Sequence, residues 1–293
     1  MSTVVHDQLH RFLLERAGVR GALVHLGPAW REVSARDDYP QPLRDLLGQA
    51  LAASALLTAH IKPQGSLSIE LKSQGPLRLL FAECSDAGRV RGLARWQAPL
   101  PEPLDLGAQP GALLAITLGS VEHGTRYQGL VGVRSAPFAV LLEDYFAQSE
   151  QLPTRIMLAS GADGAAGLLL QQLPGESGDD DAWNRIGHLT ATLAETELLT
   201  LPAAELLRRL YHEETPRLLG ALALGFGCGC SRDRVEAVLR ALGREEVEAA
   251  LAASGGMVEV TCEFCDARYR FDPVDVERVV SPSPSAPASA TAH

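Results

Sequence analysis

The sequence predicts an α+β protein in three parts: an N-terminal antiparallel-sheet-and-helix domain, a helical linker and a small C-terminal domain. Three observations carry this. The first 175 residues alternate strand and helix patterns joined by short turns, which favours antiparallel pairing. Near Pro174 the composition shifts to acidic, helix-patterned segments. Four of the five cysteines then fall in the last quarter of the chain. With 293 residues, 46% of them apolar and 21% charged, the chain is long enough for a sizeable core and has the composition of a globular protein.

Within residues 1–175, residues 21–26 read as a strand. In residues 40–60, Leu43, Leu46, Leu47, Ala50, Leu51 and Leu57 recur at helical spacing. Leu67, Ile69 and Leu71 alternate with polar neighbours, which is strand spacing. Strands over 77–82 and 90–96 follow, separated by the turn residues Ser85-Asp86-Ala87-Gly88. Two more strands, 112–120 and 127–133, flank Glu122-His123-Gly124. Phe138, Leu141, Leu142, Tyr145 and Phe146 mark a helix, and strands over 155–159 and 167–172 close the set.

Residues 176–227 read as a linker. Residues 176–214 hold nine acidic and three basic residues, a net of −6. Trp183, Ile186, Leu189 and Leu193 line one helix face. Ala203, Leu206, Leu207, Leu210 and Tyr211 line another, with Thr200 as the expected N-cap and Pro202 in the first turn. Neither helix has a core of its own, so both apolar faces must rest on the first domain. The run from Leu218 to Gly227 contains no charge and leads directly into Cys228. Exposed, such a run would be adhesive, so something is expected to cover it.

Residues 228–280 form the cysteine unit. Ser231 is placed to cap a helix carrying Val235, Val238, Leu239 and Leu242, and Gly255-Gly256 ends a second helix. Strands over 257–261 and 269–271 flank Cys262-Glu263-Phe264-Cys265, the layout of a metal knuckle on a hairpin. A unit this small buries little and needs a staple. Cys228-x-Cys230 and Cys262-x-x-Cys265 supply four thiolates for one zinc ion. Four cysteine ligands leave no open position for water, so the ion is structural and not a Lewis-acid catalyst. Residues 281–293, SPSPSAPASATAH, have the composition of a disordered tail.

A tetrathiolate site still has chemistry. Bound metal keeps the cysteines deprotonated, and thiolates are what peroxide and hypochlorous acid attack. Arg232, Arg234, Arg268 and the helix starting after Ser231 are placed to offset the site's charge. Bridging one pair removes two ligands. The metal then departs with folding energy on the order of 10 kcal/mol, comparable to the stability of a whole domain. The acidic helices and residues 218–227 would lose their docking.

Several stretches resemble the heat-shock protein 33 family. They include His6-Asp7-Gln8-Leu9-His10-Arg11, Asp38-Tyr39-Pro40-Gln41-Pro42, Arg126-Tyr127-Gln128-Gly129 and Leu142-Glu143-Asp144-Tyr145-Phe146. Ser149-Glu150-Gln151-Leu152-Pro153-Thr154, Leu210-Tyr211-His212-Glu213-Glu214, Cys228-Gly229-Cys230-Ser231-Arg232 and Cys262-Glu263-Phe264-Cys265 extend the resemblance along nearly the whole chain. It implies a cytoplasmic, ATP-independent holdase chaperone that is not an enzyme and is switched on by oxidation. Its parts would be a client-binding core over 1–175, a metastable helical linker over 176–227, a zinc redox-switch domain over 228–280 and the tail over 281–293. The resemblance further implies one Zn2+ on Cys228, Cys230, Cys262 and Cys265 in the reduced form. On oxidation it implies the disulfides Cys262–Cys265 and then Cys228–Cys230, zinc release, linker unfolding and dimerisation. The partners would be unfolded or partly folded proteins. Relative to the family, Asp233 stands where many members have Glu, and residues 219–227 are rich in alanine and glycine.

Two other function classes compete. A zinc-stapled interaction or regulatory module would have the same cysteines without a switch. Its nucleic-acid form is disfavoured by a net charge of −10 overall and −4 over residues 226–280. A disulfide oxidoreductase would place Cys-x-x-Cys at a helix start, not between strands. No apolar run reaches the length of a membrane-spanning helix, and the charged N-terminus does not fit a secretory signal. Cys84 reads as a buried small hydrophobe. His6 and His10 read as a solvated helix face, Gly161-Ala162-Asp163-Gly164 as a plain turn, residues 176–181 as a solvated connector, and Glu143-Asp144 as helix surface.

Overall fold

The computed structural model describes residues 7–59, 65–120, 126–175, 179 and 181–281. The chain divides into two compact units, Met1–Gly227 and Cys228–His293.

The first unit contains strands β1 (Gln8–Leu14), β2 (Val19–Leu26), β3 (Gly65–Lys72), β4 (Leu77–Ser85), β5 (Arg89–Trp96), β6 (Leu113–Ser120), β7 (Arg126–Gly132), β8 (Thr154–Ser160), β9 (Ala165–Gln172), β10 (Pro216–Ala223) and β11 (Gly225–Phe226). Its helices are α1 (Pro28–Ser34), α2 (Gln41–Thr58), α3 (Phe138–Tyr145), α4 (Ala182–Ala191), α5 (Glu195–Thr200) and α6 (Ala203–Tyr211). They build a five-stranded sheet, order β10-β1-β2-β9-β8, and a six-stranded sheet, order β11-β5-β4-β3-β6-β7. Every described pairing in these sheets is antiparallel except β11 with β5.

Helix α2 packs against strands of both sheets and buries thirteen of its residues, from Leu43 to Thr58. Its alanines and leucines go nearly all the way round, as a central helix requires. It belongs to one core with Val24, Leu26, Ile69, Leu80, Ile116 and Leu169. The other face of the five-stranded sheet offers Phe12, Leu23, Leu168 and Leu170 to a second core. There it meets Ile186 of α4, Leu198 of α5, and Leu206, Leu207, Leu210 and Tyr211 of α6. The acidic helices are therefore roofed onto the first domain, with their charged faces outward. Being covered on both sides, β2 and β9 are almost continuously apolar and buried, not alternating.

Several sequence expectations need correction. The first strand is Gln8–Leu14, so His10 lies on β1 and not on a helix face; His6 is outside the described residues. Leu9 and Phe12 are three apart and imitate helical spacing, because the strand feeds two different cores. Thr200 is the last residue of α5, a short helix the periodicity did not reveal, and the N-cap of α6 is Pro202. Glu143 is more than helix surface: its carboxylate accepts a 2.7 Å bond from the Ile156 N–H, and burial raises its pKa. The turn at Glu122-His123-Gly124 and the tail beyond residue 281 lie outside the described residues.

The run entering Cys228 also differs from expectation. Three helices, α4 to α6, occupy residues 182–211, but the chain then forms β10 along β1 and β11 along β5. Its backbone is paired while its side chains are not enclosed: Leu218 and Leu219 are 45% and 51% exposed. Leu222, Leu224 and Phe226 rest partly against the main core. Pairing along a sheet edge therefore replaces the full covering expected.

The second unit has helices α7 (Arg232–Leu242), α8 (Arg244–Ala253) and α9 (Pro273–Val280) with the hairpin β12 (Val258–Thr261) and β13 (Arg268–Phe271). Its core is Leu239, Val247, Val258, Phe271, Val276 and Val279. Among the described residues, no helix is long and apolar enough to cross a membrane.

Candidate metal centre

The hairpin sets two of the four clustered cysteines. β12 and β13 pair from Val258↔Phe271 to Thr261↔Arg268. The link between them curls tightly: the Cys262 N–H donates to Ala267 O at 2.9 Å and the Asp266 N–H to Cys262 O at 2.8 Å. Asp266 takes a left-handed φ of 57°, tolerable for an Asp because its short polar side chain suits that region. The curl turns Cys262 and Cys265 towards a common point. The other two cysteines precede α7. The Ser231 Oγ accepts from the Arg234 N–H at 3.3 Å, capping the helix as its sequence predicted. Arg234 also donates from Nη1 to Gly229 O at 2.5 Å and holds the Cys228-Gly229-Cys230 bend.

The four Sγ atoms converge within 4.8 Å of one another. Cys228 and Cys262 are 3.6 Å apart, and Cys230 and Cys265 are 3.3 Å apart. A tetrahedral ion with Zn–S bonds of about 2.3 Å needs sulfurs about 3.8 Å apart, so the cluster fits four-coordinate thiolate ligation with small adjustment. Among the described residues it is the one group of three or more His, Cys, Asp or Glu whose ligand atoms gather this way. The Tyr269 hydroxyl donates to Cys230 Sγ at 3.1 Å and draws that thiol down to about 7. Burial pushes Cys228 up, and Cys265 up to about 12. Four thiols this close cannot all ionise unaided; a bound cation relieves the crowding of charge.

The neighbouring arginines are largely committed elsewhere. Arg232 pairs with Asp275 at 2.7 Å and lies over the Phe271 ring. Arg268 faces Glu259 at 3.9 Å. Arg234 acts on the Cys228–Cys230 bend directly, through the Gly229 carbonyl. Tyr269 is a site residue that the cysteine spacing did not disclose; its place one residue inside β13 is the signal, once the hairpin is drawn. Helix α9 was also missed, although Asp272-Pro273 is an N-cap and N1 pair, and the Asp272 carboxylate accepts from the Asp275 N–H at 2.8 Å.

Cys84 stands apart in β4, fully buried, its thiol pushed up to about 12 by that burial. Gly161-Ala162-Asp163-Gly164 is the turn between β8 and β9, closed by Gly161 N–H to Gly164 O. Asp179 of the acidic connector pairs with Arg185 at 2.8 Å, and Arg185 pairs with the buried Glu214 at 2.7 Å.

The family model for Hsp33 protein matches residues 7–272. This chain belongs to the Hsp33 family. A 33 kDa chaperonin of Nitrosococcus oceani is 44% identical to this Hsp33 chain over 287 residues, covering 98% of it and 99% of the relative. The 33 kDa chaperonin of Shewanella woodyi is 44% identical over 276 residues, covering 94% and 96%. Among solved structures, the 33 kDa chaperonin of Thermotoga maritima superposes with a TM-score of 0.79 at 22% identity, covering 94% of this chain and 98% of its own. That likeness shows the shared α+β fold. Membership of the family makes the Hsp33 chain a chaperone, and its cysteine cluster can hold a metal ion.

Proposed function

We propose that the protein is a redox-regulated, ATP-independent holdase. Reduced, it carries one Zn2+ on Cys228, Cys230, Cys262 and Cys265 and holds clients weakly; oxidised, it captures unfolding proteins. The observation that carries this reading is the tetrathiolate cluster one residue beyond a segment that ends in paired but poorly enclosed strands.

Zinc supplies a crosslink that holds the small unit together and keeps its sulfurs as thiolates. The chain's own residues do the rest. A thiolate attacks peroxide, its partner thiolate closes the S–S bond, the O–O bond breaks, and two protons are taken up as two waters leave. The pairs that we propose are Cys262–Cys265, closing first, and Cys228–Cys230, as the family resemblance implies. The cross pairs 228/262 and 230/265 also lie close, at 3.6 and 3.3 Å, so peptide mapping of the oxidised protein is the deciding measurement. With its ligands bridged, the unit loses its crosslink, the linker detaches and the active form dimerises. Partners are unfolded or partly folded proteins, not nucleic acid or membrane. The net charge of −4 over residues 226–280 argues against phosphate binding. Reliance on reduced thiols at rest fits a cytoplasmic setting.

The test follows zinc release with a colorimetric chelator alongside light scattering of a thermally unfolding client. With peroxide and mild heat, zinc release and client protection should rise together. Equal protection by the reduced and oxidised protein would favour a passive staple on an unswitched module.

A further inference from the structure

The hairpin of the second unit presents its two faces to different partners. Side chains alternate along β13, so Arg268 and Arg270 point to one side, where they meet Glu259 at 3.9 and 2.7 Å. Tyr269 and Phe271 point to the other. Phe271 is fully buried in the small core, and the Tyr269 ring packs against that core from its margin. The register, Val260↔Tyr269, carries the phenol hydroxyl to Cys230, where it donates to Sγ at 3.1 Å. Donor and sulfur are 39 positions apart, so the bond joins the hairpin to the bend that precedes α7.

The sulfurs of the cluster are hydrogen-bonded in two different ways. Cys228 Sγ accepts from the Cys230 N–H, and Cys265 Sγ from the Ala267 N–H. Those donors belong to the main chain and come with the two turns themselves. The bond on Cys230 is made by a side chain, so the sequence sets it independently of the fold. Phenylalanine in place of Tyr269 would keep the ring and its packing and lose the donor. A thiolate that accepts a hydrogen bond has part of its charge drawn away, and the lone pairs that attack an electrophile are held back. The Cys228 and Cys230 pair thus carries a main-chain donor and a side-chain donor together.

We infer that Tyr269 is a positioning residue that acts as a brake on Cys230: its hydroxyl steadies this sulfur as a metal ligand and slows its oxidation by peroxide, so that the Cys228–Cys230 disulfide is the later one to close. The inference deepens the redox-holdase reading and rests on it for the order of closure; the hydroxyl's hold on the sulfur stands on geometry alone. The step held back is the one in which a Cys230 lone pair forms the S–O bond and the O–O bond of hydrogen peroxide breaks. The leaving oxygen takes up a proton and departs as water, and Cys230 is left as a sulfenic acid. A hydrogen bond worth about tenfold in thiolate stability, at a Brønsted coefficient of about 0.45, slows attack about threefold.

The test compares the full-length protein with Tyr269→Phe, both loaded with Co2+ for spectroscopy and with Zn2+ for kinetics. Loss of the hydroxyl should move the sulfur-to-cobalt charge-transfer band to longer wavelength, with the visible ligand-field bands of the four-sulfur tetrahedron unchanged. A merely structural role would leave the charge-transfer band where it is or disturb the tetrahedron. Competition with a chelator should show metal affinity reduced by about tenfold. In the initial phase of peroxide treatment, alkylation and peptide mapping should show Cys230 oxidised about threefold faster, with Cys262 and Cys265 oxidised at the wild-type rate. Unchanged bands with unchanged Cys230 kinetics would overturn the inference and leave the holdase reading standing. Slower oxidation of Cys230 in Tyr269→Phe would overturn it too, since the hydroxyl would then be supplying the proton to the leaving oxygen. A shifted band and faster Cys230 oxidation, with no client protection by either oxidised protein, would uphold the brake and overturn the holdase reading. Should Tyr269→Phe take up no metal, replacing Tyr269 by meta-fluorotyrosine, a stronger donor on the same ring, decides by effects of opposite sign: a band at shorter wavelength and slower oxidation of Cys230.

Discussion

The two units of this chain are stabilised by different means. The first sandwiches α2 between two sheets and roofs the far side of one sheet with three more helices, so that Trp30, Phe12, Leu51 and Tyr211 are all fully buried. The second encloses six apolar side chains between a four-residue-stranded hairpin and three short helices. One can rely on the hydrophobic effect; the other has to add a crosslink. On the proposed reading, the difference puts the redox-sensitive element where loss of a single group would undo a fold, and the durable scaffold where it would not.

Removing the crosslink should produce the largest effect. Chelation of the reduced protein withdraws on the order of 10 kcal/mol from the second unit. Exchange should then become fast across 232–280, while β2 and β9 stay protected. Loss of protection in both units together would show that they are one cooperative structure. A cut in the first unit's own core comes next. Tyr211→Ala empties a fully buried site and removes a 2.7 Å hydrogen bond with Thr190, and should cost about 4 kcal/mol in urea unfolding of the zinc-loaded protein. Since α6 lies in the roof, that loss should also loosen the helices over the five-stranded sheet, seen as faster exchange over residues 182–211. The smallest effect belongs to Leu219→Ser. A half-exposed residue without a cross-strand partner should change stability by no more than about 0.5 kcal/mol. A larger loss would mean that β10 is held by its side chains and not by its backbone.

The periodic elements of this fold were legible in the sequence because they obey simple rules. Leu67, Ile69 and Leu71 alternate, α2 repeats its leucines at helical spacing, and Ser231 caps the helix it precedes. The cysteine spacing likewise picked out the four cysteines that the hairpin and the turn before α7 gather within 4.8 Å. What escaped is instructive. β1 serves two cores and so loses a clean period of two, which concealed a strand behind the spacing of Leu9 and Phe12. β10 carries no alternation because none of its residues is fully buried; pairing with a strand some two hundred positions earlier defines it, and such a partner leaves no local mark. Tyr269 became visible only when the register of the hairpin placed its hydroxyl on Cys230.

Gly88 sits at the turn between β4 and β5 with φ of 75°, and a methyl group there would come within 2.2 Å of the Ala223 carbonyl oxygen. The bare α-carbon is what lets residues 223–225 lie flat as the chain steps from β10 in one sheet to β11 in the other. A residue any bulkier would prop the crossing ajar, with no sulfur touched and no oxidant present. If the switch works as proposed, its threshold is set by main-chain fit at Gly88 as well as by the cysteines, which lie far along the chain from it.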